Sequence, residues 1–431
     1  MTHSMSTYAG YGVPFYETVP EARQDAAAFE APPSLARKFV EFLFYLQMLN
    51  STFLLTIQSW QVPYLGGGTL LLAAMICFVI LMVQRERLPA SIWFALAMNV
   101  GANLSQTMRG EMPIVGAGLN FLFLWMCQLL VVCYLVRNDA CRKRILVFLA
   151  VMILICTVFF GQATGAYGQR RLGLEKQAVG GTMANANDLA HTAAPLALAI
   201  LFWSLRAARS ARPWLWALGL AMLVVVVRTV SRGGIISTGC GLTVLAVTIL
   251  LGRGARLGGI LMVLFGALAL SQLAFLVSDP WSLFEKRMGQ KSERLAVYNR
   301  QTWEDLAETM VLGRGTQMSY VRAAGIHAHN TYINIHLTYG GITAIPYLVW
   351  VGYLGWRTAR FLMRREAAPL TLRMELLCLF GMALAAQLLS NLGIVFLSSV
   401  YAVAVIEKYT RRLPRQAPDE VGAAPGLVYS Y

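Results

Sequence analysis

The sequence predicts an all-α fold, a polytopic membrane helix bundle of about twelve transmembrane helices with one long external loop that contains amphipathic helices. Three observations lead there. The chain is 57% hydrophobic and only 13% charged, where a soluble protein carries about a quarter charged residues. Apolar runs of about 20 residues, enough to cross a bilayer as helix, recur along the whole chain. Lysine and arginine gather in every second connection between those runs. A lipid-facing barrel would instead show alternating segments of about ten residues.

The first 36 residues are polar, contain Pro14, Pro20, Pro32 and Pro33, and hold no apolar core of a cleavable signal. They read as a cytoplasmic tail over 1–36, matched by a second tail over 414–431. Between them, 37–413 reads as one transmembrane domain. Apolar runs bounded by charge predict helices near 39–59, 64–83, 90–106, 114–136, 145–161, 188–205, 213–230, 234–252, 258–277, 331–354, 372–389 and 391–407. The third is interrupted by Asn99, Gly101 and Asn103.

Orientation follows from the basic connections: Arg85/Arg87, Arg137 through Arg144, Arg206 through Arg212, Arg253/Arg256 and Arg357 through Arg365. The positive-inside rule assigns these to the cytoplasm, and it also absorbs the net charge of +15 without a nucleic-acid partner. The other side receives the loop 162–187, the turn at Arg232 and the long loop 278–330. Both outer loops carry basic residues against the bias, which suggests that those charges serve a ligand. All seven cysteines lie in or beside apolar runs, and no CxxC occurs, so neither a disulfide framework nor a thiolate metal site is implied.

Three outer patches could do chemistry. In Val227 to Gly234, a continuous helix would stack Arg228 and Arg232 at i and i+4. Like charges there repel, and an anion such as a diphosphate would offset that cost. Headgroup snorkelling is the bland alternative, and it suits Arg232 better than Arg228. In the long loop, Leu295, Tyr298, Trp303, Leu306 and Met310 recur at helical spacing, an amphipathic helix lying on the bundle, with Arg294 at its start. A solvated face with Arg300, Glu304 and Glu308 paired among themselves is the alternative. The loop ends in Ile326-His327-Ala328-His329-Asn330. Histidines at i and i+2 share no helix face, and no carboxylate follows closely, so a metal site is not expected. A neutral His329 at a membrane surface suits a general base, whereas His191 and His336 lie inside spans and read as structural. The loop 162–187 adds Arg170, Arg171 and the run Asn185-Ala186-Asn187-Asp188, a helix-start signal.

Taken in order, Ser231-Arg232-Gly233, Ser292-Glu293-Arg294 with Gly313-Arg314-Gly315, and His329-Asn330-Thr331-Tyr332 through Gly340-Gly341-Ile342 resemble the O-antigen ligase/polymerase superfamily. Asn185-Ala186-Asn187 is similar to that family's Asn-Pro-Asn, with Ala186 in place of proline, and Thr338 stands where a glutamate is usual. The likeness covers about 160–345; earlier helices match in hydropathy alone.

The resemblance implies glycosyl transfer on the periplasmic face of a bacterial inner membrane, with no metal and no cofactor. The donor would be an undecaprenyl diphosphate-linked glycan. His329 would be the catalytic base, and Arg232 and Arg294 would bind the diphosphate. Arg228, Arg170, Arg171, Asn187 and Asn330 are further candidates for substrate contact. Direct displacement by the acceptor hydroxyl would invert the anomeric centre. An O-antigen ligase, passing the glycan to lipid A–core in lipopolysaccharide assembly, is the expectation, since no long outer C-terminal domain is seen. A polymerase or a protein O-oligosaccharyltransferase would use the same donor. A transporter of the lipid-linked glycan is the rival from another class. Against it, no repeat relates the halves of the chain, and the basic groups gather at one face.

Overall fold

The computed structural model describes residues 34–49, 65–110, 117–164, 171–174, 186–251, 300–315, 320–321, 326–327, 330–363, 368–389 and 397–411. Residues 1–33 of the first tail, nearly all of it, the second tail, the predicted helix 258–277 and the first part of the long loop lie outside the described residues; Leu35 and Ala36, read as tail, already belong to α1. Thirteen helices appear among those described: α1 (Leu35–Met48), α2 (Leu65–Val83), α3 (Ala90–Met108), α4 (Ala117–Val136), α5 (Asp139–Phe160), α6 (Ala186–Ser204), α7 (Arg212–Arg228), α8 (Arg232–Leu251), α9 (Arg300–Glu308), α10 (Thr331–Tyr339), α11 (Gly341–Met363), α12 (Leu370–Leu389) and α13 (Leu397–Arg411). Two short antiparallel hairpins add to this all-helical framework: β1 (Gly161–Thr164) with β2 (Arg171–Leu174), and β3 (Tyr320–Val321) with β4 (Ile326–His327). They occupy loops where the sequence predicted no strand.

Helix α6 is the pillar of the bundle. It is apolar on all sides and buried along nearly its whole length, which requires neighbours all round. It packs against α5, α7, α8, α12 and α13. A second group joins α1, α2 and α4, and α3 lies between α4 and α11. Helices α8 and α12 are each long and apolar enough to cross a membrane. Large apolar side chains also cover the outside of the bundle, among them Phe78, Val79 and Met82 on α2 and Ile345, Leu348 and Trp356 on α11.

Three departures from the sequence reading have local causes. The interruption expected within 90–106 does not occur, and α3 is continuous to Met108. Its amides turn inward: Asn99 Nδ2 donates to the Ala95 carbonyl at 2.8 Å and to the Leu122 carbonyl at 3.2 Å. Gly101 lets the backbone of α11 approach, since a Cβ there would stand 2.8 Å from the Ile342 oxygen. Helix α5 starts six residues earlier than its predicted start at 145, because Asn138 caps it, accepting from the Cys141 N–H at 3.0 Å. The basic run is therefore helical, and Arg144 pairs with Glu41 at 2.6 Å.

The predicted helix 331–354 is two helices, broken at Gly340. The break is forced by a docked segment. Gly340 has φ +80°, and a Cβ there would sit 2.2 Å from the Val311 oxygen. Gly341 N–H donates to the Met310 carbonyl at 3.0 Å, and Arg314 N–H donates to the Leu337 carbonyl at 2.7 Å. We expect Gly340→Ala to destabilise the protein by at least about 1–3 kcal/mol, through strain at positive φ plus the clash with the Val311 backbone. Thermal unfolding of the purified variant in detergent measures it; an unchanged midpoint would contradict the docking.

The two ends of the bundle differ in chemistry. At one end the predicted cytoplasmic connections meet. Glu375, fully buried, takes Arg206 and Arg142, the latter at 3.5 Å. Lys408 binds Asp139 at 2.5 Å, Arg137 pairs with Glu86, and Arg411 donates to the Arg87 carbonyl at 2.6 Å. The other end gathers the β1–β2 hairpin, the first turn of α6, the α7–α8 turn and the close of α12.

Candidate functional site

Five candidates fall among the described residues: Arg171, Asn187, Arg228, Arg232 and Asn330. His329, Arg294 and Arg170 lie outside them.

The segment around Arg232 is built as a tight corner, not as the continuous helix that stacks Arg228 over Arg232. Helix α7 stops at Arg228, and α8 begins at Arg232. Between them Val230 adopts φ +48°. A buried β-branched residue in the left-handed region costs roughly 1–3 kcal/mol and survives only where its surroundings fix it. The corner's hydrogen bonds do this. Thr229 Oγ1 donates to the Val226 carbonyl at 2.7 Å and accepts from the Ser231 N–H at 3.3 Å. Ser231 then caps α8, its Oγ accepting from the Gly234 N–H at 3.3 Å. Arg228 thus ends a helix, where exposed carbonyls favour a cation. Arg232 opens the next helix, where exposed N–H groups favour an anion and oppose its own charge. The i, i+4 repulsion does not apply, yet an anion beside Arg232 would still be stabilised by both the guanidinium and the helix start.

The glycines after Arg232 seat this corner against the core. A Cβ at Gly233 would lie 2.7 Å from Leu389 Cδ1 and 3.2 Å from His191 Nε2; one at Gly234 would lie 2.6 Å from the Ala190 Cβ. Only glycine permits that approach. The contact brings the start of α8 to the first turns of α6, which carry Asn187, and to the last residue of α12. The His191 carbonyl also accepts from Ser398 Oγ at 3.1 Å, tying α13 to the same end. Strand β2, which includes Arg171, packs on α5, α6 and α7 and so belongs to this end too.

The long loop contributes a buttress. In α9, Leu306 is buried against Ile333, Leu337 and Tyr332 of α10. His336 fixes the same pair of helices, with Nε2 3.0 Å from the Leu306 carbonyl. The predicted face does not pack as a unit: Trp303 is 62% and Met310 71% exposed, and Leu295 and Tyr298 lie outside the described residues. The Arg300 side chain, the cation of the alternative pairing, lies outside the described residues. Glu308 joins buried Asp305 in holding Arg314, at 3.2 and 2.5 Å. The Asp305 carboxylate raises the Arg314 pKa further above its ordinary value. Arg314 is thereby committed to this buttress.

Asn330 caps α10, its side-chain oxygen accepting from the Ile333 N–H at 3.2 Å. The cap fixes how the chain leaves His329 and enters α10.

Sequence reasoning missed Arg109. It follows α3 directly, and its Nη1 donates to Ser105 Oγ at 2.7 Å, to the Gly313 carbonyl at 2.9 Å and to the Thr338 carbonyl at 3.2 Å. It staples the docked loop to the helix break. The available signal was a lone arginine in an outer turn, the side that the positive-inside rule leaves poor in arginine. No family model matches the chain, and no curated protein matches it.

Proposed function

We propose that the chain is a polytopic inner-membrane glycosyltransferase, an O-antigen ligase that moves a glycan from undecaprenyl diphosphate to lipid A–core at its periplasmic end. The membrane part of the reading is supported by α8 and α12, which are long and apolar enough to span, and by the apolar outer surface of α2, α3 and α11. The twelve-helix count follows from the apolar runs, including the one at 258–277.

One observation carries the chemical part. The α7–α8 corner presents Arg232 at a helix start, seated by Gly233 against α6 and α12, at the end opposite the buried cytoplasmic ion pairs. A diphosphate leaving group needs cationic stabilisation as the glycosyl bond breaks, and a fixed guanidinium at a helix start supplies it. Arg294 joins it from the long loop. His329 takes the proton from the acceptor hydroxyl, which attacks the anomeric carbon and expels undecaprenyl diphosphate with inversion.

The test is transfer by purified protein in lipid, with the lipid-linked glycan and three acceptors in parallel: lipid A–core, a second lipid-linked unit, and a serine-containing peptide. Product on lipid A–core is expected. Product only on the second unit or only on the peptide would replace the ligase by a polymerase or a protein glycosyltransferase. Flipping of the donor without product on any acceptor would replace transfer by transport.

A further inference from the structure

The opposite end of the bundle holds a cavity of about 570 Å³ lined by Arg37, Glu86, Arg137, Glu407, Lys408 and Arg411, together with apolar Pro89, Cys133 and Ala404. Four cations face two carboxylates there. Both carboxylates are engaged: Glu86 pairs with Arg137, and Glu407 accepts from the N–H and hydroxyl of Ser91 at 2.9 and 2.7 Å. Lys408 is held by Asp139.

Arg37 and Arg411 are different. Among the described residues no carboxylate pairs with either. Arg411 donates to the Arg87 carbonyl. The Arg37 guanidinium lies over the Tyr134 ring, 5.0 Å from its centroid, and its buried Nε has no hydrogen-bond partner. Arginine cannot shed its charge, and a buried guanidinium N–H left without an acceptor is costly. Among the described residues the lining thus holds more cations than carboxylates, and guanidinium groups match phosphate oxygens best.

We propose that this cavity binds a phosphate-bearing anion, supplied by the headgroup of an anionic phospholipid in the leaflet at the basic end. The lipid source is argued from the wall that carries Arg37. Helix α1 exposes Leu35, Phe39 and Phe42, an apolar flank suited to acyl chains beside a charged hollow suited to a headgroup. Basic hollows between membrane helices on the cytoplasmic side recognise such headgroups. None of these residues lies at the Arg232 end, so the site is separate from the transfer chemistry.

The test is thermal unfolding of the purified full chain in neutral detergent, titrated with short-chain phosphatidylglycerol, short-chain phosphatidylcholine or inorganic phosphate. Wild type is compared with Arg37→Gln/Arg411→Gln and with Lys143→Gln. Lys143 stacks on Trp203 outside the cavity and controls for net charge. Phosphatidylglycerol should stabilise wild type and Lys143→Gln, and phosphatidylcholine should not. Apparent affinity should fall about five-fold per cavity arginine removed, about 25-fold in the double variant. Should the double variant not fold, single Arg411→Gln, at the exposed end of α13, gives the five-fold step. Equal affinity in wild type and the arginine variants would overturn the site. Equal stabilisation by inorganic phosphate and phosphatidylglycerol would overturn the lipid source.

Discussion

Arg232→Ala should lower glycan transfer about 10²–10³-fold, the scale on which an enzyme loses one preorganised donor to a developing negative charge. The side chain opens α8 at a corner where Ser231 supplies the cap and Gly233 and Gly234 fill the contact with α6 and α12. None of those supports uses the guanidinium, so the variant should fold. Arg232→Lys should rescue poorly, because an ammonium lacks the planar fork that grips two phosphate oxygens. The measurement is kcat/KM for the lipid-linked donor beside a thermal melt. Full activity in Arg232→Ala would remove this residue from the mechanism.

His329→Ala should lower transfer about 10²–10⁴-fold, the range for loss of a positioned general base. The residue stands between strand β4 and the Asn330 cap of α10. His327 pairs with Tyr320 in the β3–β4 ladder, and His327→Ala should keep most of the activity. A base acts only as the proton leaves, so donor binding by His329→Ala should be nearly that of wild type. The wild-type rate should fall in acid as the imidazole protonates and can no longer accept a proton. Donor binding lost together with rate would make His329 a phosphate ligand instead.

Much of the helical framework was legible because hydrophobic runs report burial directly. The alternation of basic connections anticipated which helix ends meet: Arg206, Arg142 and Glu375 converge, as do Arg137 and Glu86. What the sequence did not reveal depends on tertiary partners. Gly340 and Gly341 read as part of one apolar span, since nothing local announces that residues 310–315 dock there. Asn99 and Asn103 read as breaks because their carbonyl partners come from their own helix and from α4. At Ser231-Arg232-Gly233, the continuous helix expected from the sequence is replaced by a corner. Val230 ends the helix between the two arginines, a backbone choice that a valine disfavours and no propensity would suggest.

Donor and acceptor chemistry at the Arg232 end, and lipid binding at the Arg411 end, both require that the two ends face opposite compartments. Single cysteines in a cysteine-free background measure this directly, at exposed Ala307 on α9 and at exposed Ser210 between α6 and α7. In intact cells, Ala307→Cys should react with a membrane-impermeant maleimide, and Ser210→Cys should react only after the inner membrane is opened. Equal labelling of both from outside, or the reverse order, would contradict the orientation and the periplasmic active site with it.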